Sequence, residues 1–406
     1  MLEESHFKVN QLPLYPLGAL AERVVELRMA GREVYDFSQL NPNLGPPAAA
    51  VEAMVSSSLN PYNHRYSSSQ GITRLREEVA KWYGRNFSVQ LSPAEDVVVT
   101  LGTKQGLSHL LFAILRAGDS VLVPSPSYPI HGAAVILAGG KLINFSLFDD
   151  DEISSGLPST LTADSEGFFN RLQYAVQHSF PRPTTLILSF PHNPTGVVAD
   201  RGFFDRVVQF ACDEGLIVLH DFAYSHLVFD GGHAPSILAS RGAEKCCVEF
   251  TTLSKAVNLP GWRIGFAAGN TKLIGALKRI KGYLDYGAFQ PLQIAAIQVL
   301  AGFEHIARDN LNEYAERRAA VLAGLRRAGF EFNEPKGGLF VFPRLGRALD
   351  GRSADEVVKY LIDEVGVVLA RGVGFDPAFK DYVRVVYSES ETRSRVAMDK
   401  LAECLR

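Results

Sequence analysis

The sequence predicts an α/β protein with a large domain, built on a mostly parallel sheet covered by helices on both faces, and a smaller α+β domain formed from the N- and C-terminal segments. Three observations predict this class. Short runs that are apolar throughout, such as "DVVVTLG" and "TTLILSF", suit strands buried on both faces, as parallel strands are. Amphipathic stretches of helical length alternate with them, the pattern of strands joined by crossover helices. The chain has 406 residues, 47% of them hydrophobic, which is enough for a core shared between two domains.

Taken in order, the first fifty residues hold one helical pattern, "LGALAERVVELRMAG", and the Pro-rich "NPNLGPP". They are too few to fold alone and are expected to pack against the C-terminal part. From about residue 95, "DVVVTLG" precedes the helical "TKQGLSHLLFAILRAG", "SVLVPSPSYP" precedes "HGAAVILAG", and "KLINFSL" precedes "FFNRLQYAVQHSF". "TTLILSFPHNP" leads to "RGFFDRVVQFACDEG", "LIVLHDFAY" precedes the strand "CCVEFTTL", and "WRIGFAAG" reads as another strand. One long helical region is expected from Thr271 through "LIGALKRIKGYLDYGAFQPLQIAAIQVLAG", and a second over "EHIARDNLNEYAERRAAVLAGLRRAG". The strands "GLFVFPRL", "VGVVLA" and "YVRVVYS" follow between helices. These patterns divide the chain into a large domain at 50–295 and a small domain made of 1–49 and 296–406.

A formal net charge of -3 gives no reason to expect nucleic acid or a membrane surface as partner. The N-terminus has no signal-peptide core and no apolar span follows, so a cytoplasmic location is the default. Cys246 and Cys247 are adjacent, which is poor disulfide geometry; with Cys212 and Cys404 they are expected to be buried thiols of a reducing compartment. No Cys–His cluster has metal-ligand spacing, and no metal is expected.

The chemistry centres on "EFTTLSKAVNLPGWRIGF". Lys255 stands on a turn between two strands expected to be buried. Partial desolvation there favours its neutral form, and neutral lysine amines make imines (Schiff bases) with carbonyl compounds. In parallel sheets ligands bind beyond the strand C-termini, where each of the polar motifs of this region falls. "TLGTKQG" ends a strand and opens a helix, so its N–H groups and the helix dipole suit an anion. Asp221 directly follows the apolar "GLIVLH", either as a helix cap or as partner to a buried cation. Arg384 alternates with apolar residues in "YVRVVYS", which on its own fits a solvated strand face.

Together, "GTKQG", "PSPSYP", "PHNPTG", "DFAY", "LSKAVNLPGWRIG" and "YVRVVYS", in this order, resemble the class I/II aminotransferases of fold type I, over nearly the whole chain. "VPSPSYPIH", "APSIL" and "DYGAFQPLQ" are similar to the bacterial alanine (glutamate–pyruvate) aminotransferase group, with the LL-diaminopimelate aminotransferases sharing much of the frame. The resemblance implies pyridoxal 5'-phosphate as cofactor, an amino acid and a 2-oxo acid as substrates, and a homodimer with shared active sites. It makes Lys255 the catalytic lysine. Thr103, Lys104, Thr252, Ser254 and Arg263 then hold the cofactor phosphate, with Lys104 also within reach of substrate. Asp221 faces the pyridine nitrogen, Asn193 and Tyr224 the phenolic oxygen, and Tyr128 stacks on the ring. Arg384 grips the substrate α-carboxylate, a task suited to guanidinium geometry. Tyr66 reaches the phosphate of the neighbouring subunit, while Asn193, Leu40, Tyr15 and Tyr286 belong to the substrate side.

Two positions bear on specificity. The family carries G-N-P-D in its N-terminal loop where this chain has Leu40-Asn41-Pro42-Asn43, so a side chain enters where backbone alone is expected. Leu284 stands where aspartate aminotransferases carry an arginine, which argues against a dicarboxylate-specific enzyme of that type. The alternatives are another pyridoxal phosphate reaction on the same frame (a β-lyase or synthase), an aminotransferase for a specialised biosynthetic amino acid, or a ligand sensor. A sensor would normally need a DNA-binding module, for which no residues remain.

Overall fold

The structure is a computed structural model, which describes residues 8–12, 18–229, 231–346 and 351–405. Seven strands form the central sheet, in the spatial order Val97–Thr100, Gly265–Gly269, Cys247–Thr252, Ile217–Asp221, Thr185–Ser189, Ser120–Ser125 and Lys141–Ser146. All neighbours pair in parallel except Gly265–Gly269, which runs antiparallel to both of its partners.

Why the inner strands are mostly apolar is visible in their packing. Successive residues point to opposite faces. Val98, Val121, Val123, Ile187 and Leu219 pack on one side with Leu107, Leu110, Leu111, Ala134, Val135, Ile274 and Leu277 of three helices. Their neighbours Val97, Val99, Leu122, Leu186, Leu188 and Val218 belong to the cluster on the other side, with Val79, Trp82, Phe168, Leu172, Phe203 and Val207. Both faces are covered over the inner strands, whereas the edge strand Lys141–Ser146 exposes Lys141 and Ser146.

A second sheet near the C-terminus is antiparallel and joins Phe340–Val341, Val383–Val386 and Ala370–Arg371. Tyr35–Asp36 pairs in parallel with Val367–Val368, and Arg393 Nη2 donates to the Val34 carbonyl at 3.0 Å. The N-terminal segment thus packs on the C-terminal part of the chain, as expected.

Several local expectations are corrected. The long helical region is two helices, Thr271–Leu284 and Gln290–Ala301. Asp285 leaves the helix in an extended conformation, and Gly287 follows at φ +81, where an added Cβ would meet the Ser68 carbonyl oxygen at 2.7 Å. Periodicity runs through that break, but backbone conformation does not. Helices Ala48–Ser58 and Thr73–Phe87 were not anticipated, although Trp82, Tyr83 and Phe87 are core residues. Arg263 is not inside a strand: it ends a short 3₁₀ turn at φ +53, two residues before Gly265. Cys246 and Cys247 are buried, whereas Cys212 and Cys404 are exposed at the ends of their helices, where the apolar face runs out. Among the described residues, no helix is long and apolar enough to cross a membrane.

Candidate active site

The polar residues that follow the parallel strands converge on one edge of the sheet. Thr100 leads to Thr103 and Lys104, Ser125 to Tyr128, Ser189 to Asn193, Asp221 to Tyr224, and Thr252 to Ser254 and Lys255. Arg263 joins them because its strand runs the opposite way, so the residue before it lies at the same edge. These side chains line a cavity of about 450 Å³, closed on the other side by Gln39, Leu40 and Arg384. Among the described residues, Lys104, Lys255, Arg263 and Arg384 face it against one carboxylate, Asp221. Such a cavity suits a ligand of net negative charge.

Lys255 sits where sequence reasoning put it, on the turn after its strand. Its Nζ donates to the Leu40 carbonyl at 3.1 Å. Burial lowers its proton affinity to about 8, against the usual 10.5; Arg384 and Arg263 push the same way and Asp221 opposes them. The amine is therefore partly neutral near pH 8, the form that attacks a carbonyl.

Asp221 is held from one side only. His131 Nε2 lies 3.1 Å from its Oδ2, while its Oδ1 is buried without a hydrogen-bond partner among the described residues. A buried carboxylate oxygen left unpaired costs free energy, and here it belongs to a cavity-lining residue. A protonated ring nitrogen would satisfy it. The aspartate is thus not a helix cap: no helix starts at Asp221.

The anion end is built from several elements. The helix Thr103–Ile114 opens at Gly102, φ +83, with no side chain capping its N–H groups. A Cβ on Gly102 would collide with the Arg263 guanidinium, so the glycine is what lets the cation approach. Arg263 Nη1 donates to the Pro260 carbonyl at 2.8 Å and reaches Ser254 Oγ at 3.4 Å; its Nη2 donates to the Leu101 carbonyl at 3.2 Å. Thr252 Oγ1 and Ser254 Oγ are 2.8 Å apart, and Lys104 Nζ stands 5.9 Å from the centre of the Tyr128 ring. A helix N-terminus, a guanidinium, a lysine and hydroxyls around one space fit a phosphate dianion.

Arg384 does not face solvent: it is 2% exposed. Its Nη1 donates to Asn193 Oδ1 at 3.0 Å and its Nη2 to the Ser38 carbonyl at 2.7 Å, with its Cζ 4.8 Å from the centre of the Phe375 ring. Tyr224, also buried, meets Phe340 edge-on at 5.2 Å. Asn193 is thus fixed with its Oδ1 on Arg384, which leaves its amide nitrogen as the donor.

The cavity does not include every expected residue. Tyr66 and Tyr286 are 87% and 62% exposed, outside it, with their rings 4.9 Å apart. Leu284 is exposed and also outside. Tyr15 lies outside the described residues. Conversely, sequence reasoning missed His131, which stands in the quoted "VPSPSYPIH" but meets Asp221 only through the fold. It anticipated the helix Phe303–Arg327 but missed its part in the site, where Asn310, Tyr314 and Arg317 share one face. Asn310 Nδ2 donates to the Ala256 carbonyl at 2.9 Å, Tyr314 OH donates to Asn258 Oδ1 at 2.7 Å, and Arg317 Nη1 donates to Asn43 Oδ1 at 2.6 Å. One helix face therefore braces both the lysine turn and the Leu40 loop.

The geometry brings a buried amine, an end suited to an anion and a buried guanidinium into one cavity. Residues 32–401 match the family aminotransferase class I and II, and the chain belongs to that family, whose members are pyridoxal phosphate-dependent transaminases acting on amino acids and 2-oxo acids. It is 38% identical over 396 residues to the glutamate-pyruvate aminotransferase AlaC of Escherichia coli K12, covering 98% of this chain and 92% of that protein. It is 34% identical over 398 residues to the LL-diaminopimelate aminotransferase of Moorella thermoacetica, covering 98% and 97%. Substrate-bound BacF of Bacillus subtilis superposes with a TM-score of 0.89 at 28% identity, over 99% of this chain and 98% of that one. The protein is an aminotransferase of fold type I.

Proposed function

We propose that this aminotransferase carries pyridoxal 5'-phosphate on Lys255 and moves an amino group between an amino acid and a 2-oxo acid, with alanine and glutamate the first donors to test. The observation that carries the reading is the pairing, in one cavity, of a buried Lys255 amine with the unsatisfied Oδ1 of Asp221.

When bound, the cofactor supplies a carbonyl that condenses with amines and a protonated pyridine ring that draws electrons from the substrate Cα. The remaining work falls to the chain. Asp221 Oδ1 would keep a proton at the ring nitrogen, with His131 holding Oδ2 in place. Thr103, Lys104, Thr252, Ser254 and Arg263 bind the phosphate. Tyr128 would pack on the ring, and Asn193 Nδ2 and Tyr224 OH would donate to its phenolic oxygen. Arg384, preset by Asn193 and the Ser38 carbonyl, clamps the substrate carboxylate. Lys255 Nζ would take the proton from the substrate Cα and give it up to the carbon that came from the cofactor's carbonyl, acting as base and then acid. Its lowered proton affinity suits both roles near neutral pH.

The same reading makes the enzyme a cytoplasmic homodimer. The exposed Tyr66–Tyr286 ring pair lies outside the cavity, which fits delivery of these side chains to a partner's site. It also keeps two domains, although residue 295 falls within the helix Gln290–Ala301, which packs on Ala48–Ser58 and Thr73–Phe87. Gly302, before the helix that packs on Glu391–Cys404, is the better divide.

The test is a donor–acceptor screen of the purified holoprotein. Exchange between alanine and 2-oxoglutarate, or glutamate and pyruvate, supports the reading; transfer only from other donors retains the transaminase and moves it to a specialised amino acid. Elimination or condensation without amino transfer would contradict it.

A further inference from the structure

Away from the cavity, three cysteines form a chain of thiols. Cys212 is exposed near the end of the helix Arg201–Glu214, Cys246 ends the short helix Ala243–Cys246, and Cys247 begins the strand that runs to Thr252. Cys246 Sγ stands 3.8 Å from Cys212 Sγ and 3.7 Å from Cys247 Sγ. A sulfur flanked by two S–H donors is the easiest of the three to ionise, because both contacts favour its anion. Accordingly the Cys246 thiol is drawn down to about 7, first by Cys247, while burial pushes Cys212 up and Cys246 pushes Cys247 up. One reactive sulfur therefore sits between a buried neighbour and one at the surface.

We propose that Cys212 and Cys246 are a peroxide-reactive pair that closes to an intramolecular disulfide. Cys246 is 8% exposed, so it is reached by an oxidant as small as hydrogen peroxide and not by a protein. Its thiolate attacks one peroxide oxygen, the O–O bond breaks, and the departing hydroxide takes a proton to become water. The Cys212 sulfur then attacks the Cys246 sulfur, the S–O bond breaks, and the second hydroxide leaves as water with the Cys212 proton. Two thiols and one peroxide give one disulfide and two waters, with the sulfurs oxidised and the peroxide reduced.

Cys212 is the resolving partner, not Cys247. A bridge between sequence neighbours closes a small ring that strains the peptide bond within it, whereas Cys212 lies 34 positions away, exposed in the last turn of the helix Arg201–Glu214. The pair lies at the start of the strand whose other end leads to Lys255, so it sits far along the strand from the cavity. Closure stops the oxidation of Cys246 at a reversible stage and leaves amino transfer intact. It also ties the Arg201–Glu214 helix to the sheet, which restricts the unfolded chain and raises the midpoint of thermal unfolding.

The experiment titrates the holoprotein with hydrogen peroxide in a Cys404→Ser background, which removes the other exposed thiol. The expected product is lighter by two hydrogen atoms, yields a peptide pair joined through Cys212 and Cys246, and returns to the starting mass with dithiothreitol. In a Cys212→Ser variant, Cys246 should instead proceed to the sulfinic acid. Thiols that do not react, a Cys246–Cys247 link, or Cys246 oxidised equally in both proteins would each overturn the proposal.

Discussion

Lys255 Nζ donates a hydrogen bond to the Leu40 carbonyl at 3.1 Å, joining two residues 215 positions apart. The catalytic turn and the N-terminal loop thereby share one contact, made by the backbone of Leu40 and not by its side chain. Leu40 lines the cavity, and its side chain packs against the core. The two halves of the residue can be tested separately.

Leu40→Gly keeps the carbonyl and deletes the side chain. Each methylene in a pocket shifts preference by about 1–3 kcal/mol, so the ratio of kcat/KM between large and small donors should change at least tenfold. The check is a donor panel of small, branched, aromatic and acidic amino acids, with cofactor binding measured alongside. An unchanged profile would show that specificity lies in other residues.

The lowered proton affinity of Lys255 gives a pH prediction. Because the neutral amine is the reactive form, the rate at which apoprotein takes up pyridoxal phosphate should climb with pH and level off above about 8. An exposed lysine would keep climbing towards 10.5, since its neutral fraction rises through that range. Stopped-flow absorbance across this interval distinguishes the two curves.

Replacing Asp221 with Ala should lower turnover by several orders of magnitude, because the cavity loses the one carboxylate that lines it among the described residues. His131→Leu removes one hydrogen bond to a charged group, worth about 1.5–3 kcal/mol, and should cost roughly tenfold to a hundredfold. A pH titration of the bound cofactor's absorption band should shift in both variants, and more in Asp221→Ala. Normal turnover in Asp221→Ala would make the residue merely structural.

The brace behind the lysine turn is tested by Tyr314→Phe. Asn258 adopts φ +53, and its Oδ1 accepts from the Tyr314 hydroxyl in the protein interior. Losing the donor leaves a buried acceptor unsatisfied, at a cost of about 1–3 kcal/mol. A lower unfolding midpoint together with a lower kcat, at nearly unchanged KM, is expected. A fall in stability alone would separate the brace from catalysis.

How much of this was legible in the sequence depended on distance along the chain. Inner strands apolar over most of their length announced a doubly covered sheet, and the residues just past their ends are set in place by those strands. Lys255, Asp221 and Asn193 were therefore readable as a group. The rest is made through space. Nothing near His131 in sequence indicates Asp221, 90 positions on, and nothing near Asn43 indicates Arg317, 274 positions away. The break at Asp285–Gly287 was hidden because apolar spacing continues across it, while the reason for the break is a close backbone approach to Ser68. Arg263 was read as a strand residue because its neighbours are apolar; its left-handed turn is what aims the guanidinium over Gly102.

The most direct measurement is to reduce the holoprotein with borohydride, digest it and locate the pyridoxyl group by mass spectrometry. The account predicts a single modified residue, Lys255. A label on Lys104, Lys281 or any other lysine would contradict it.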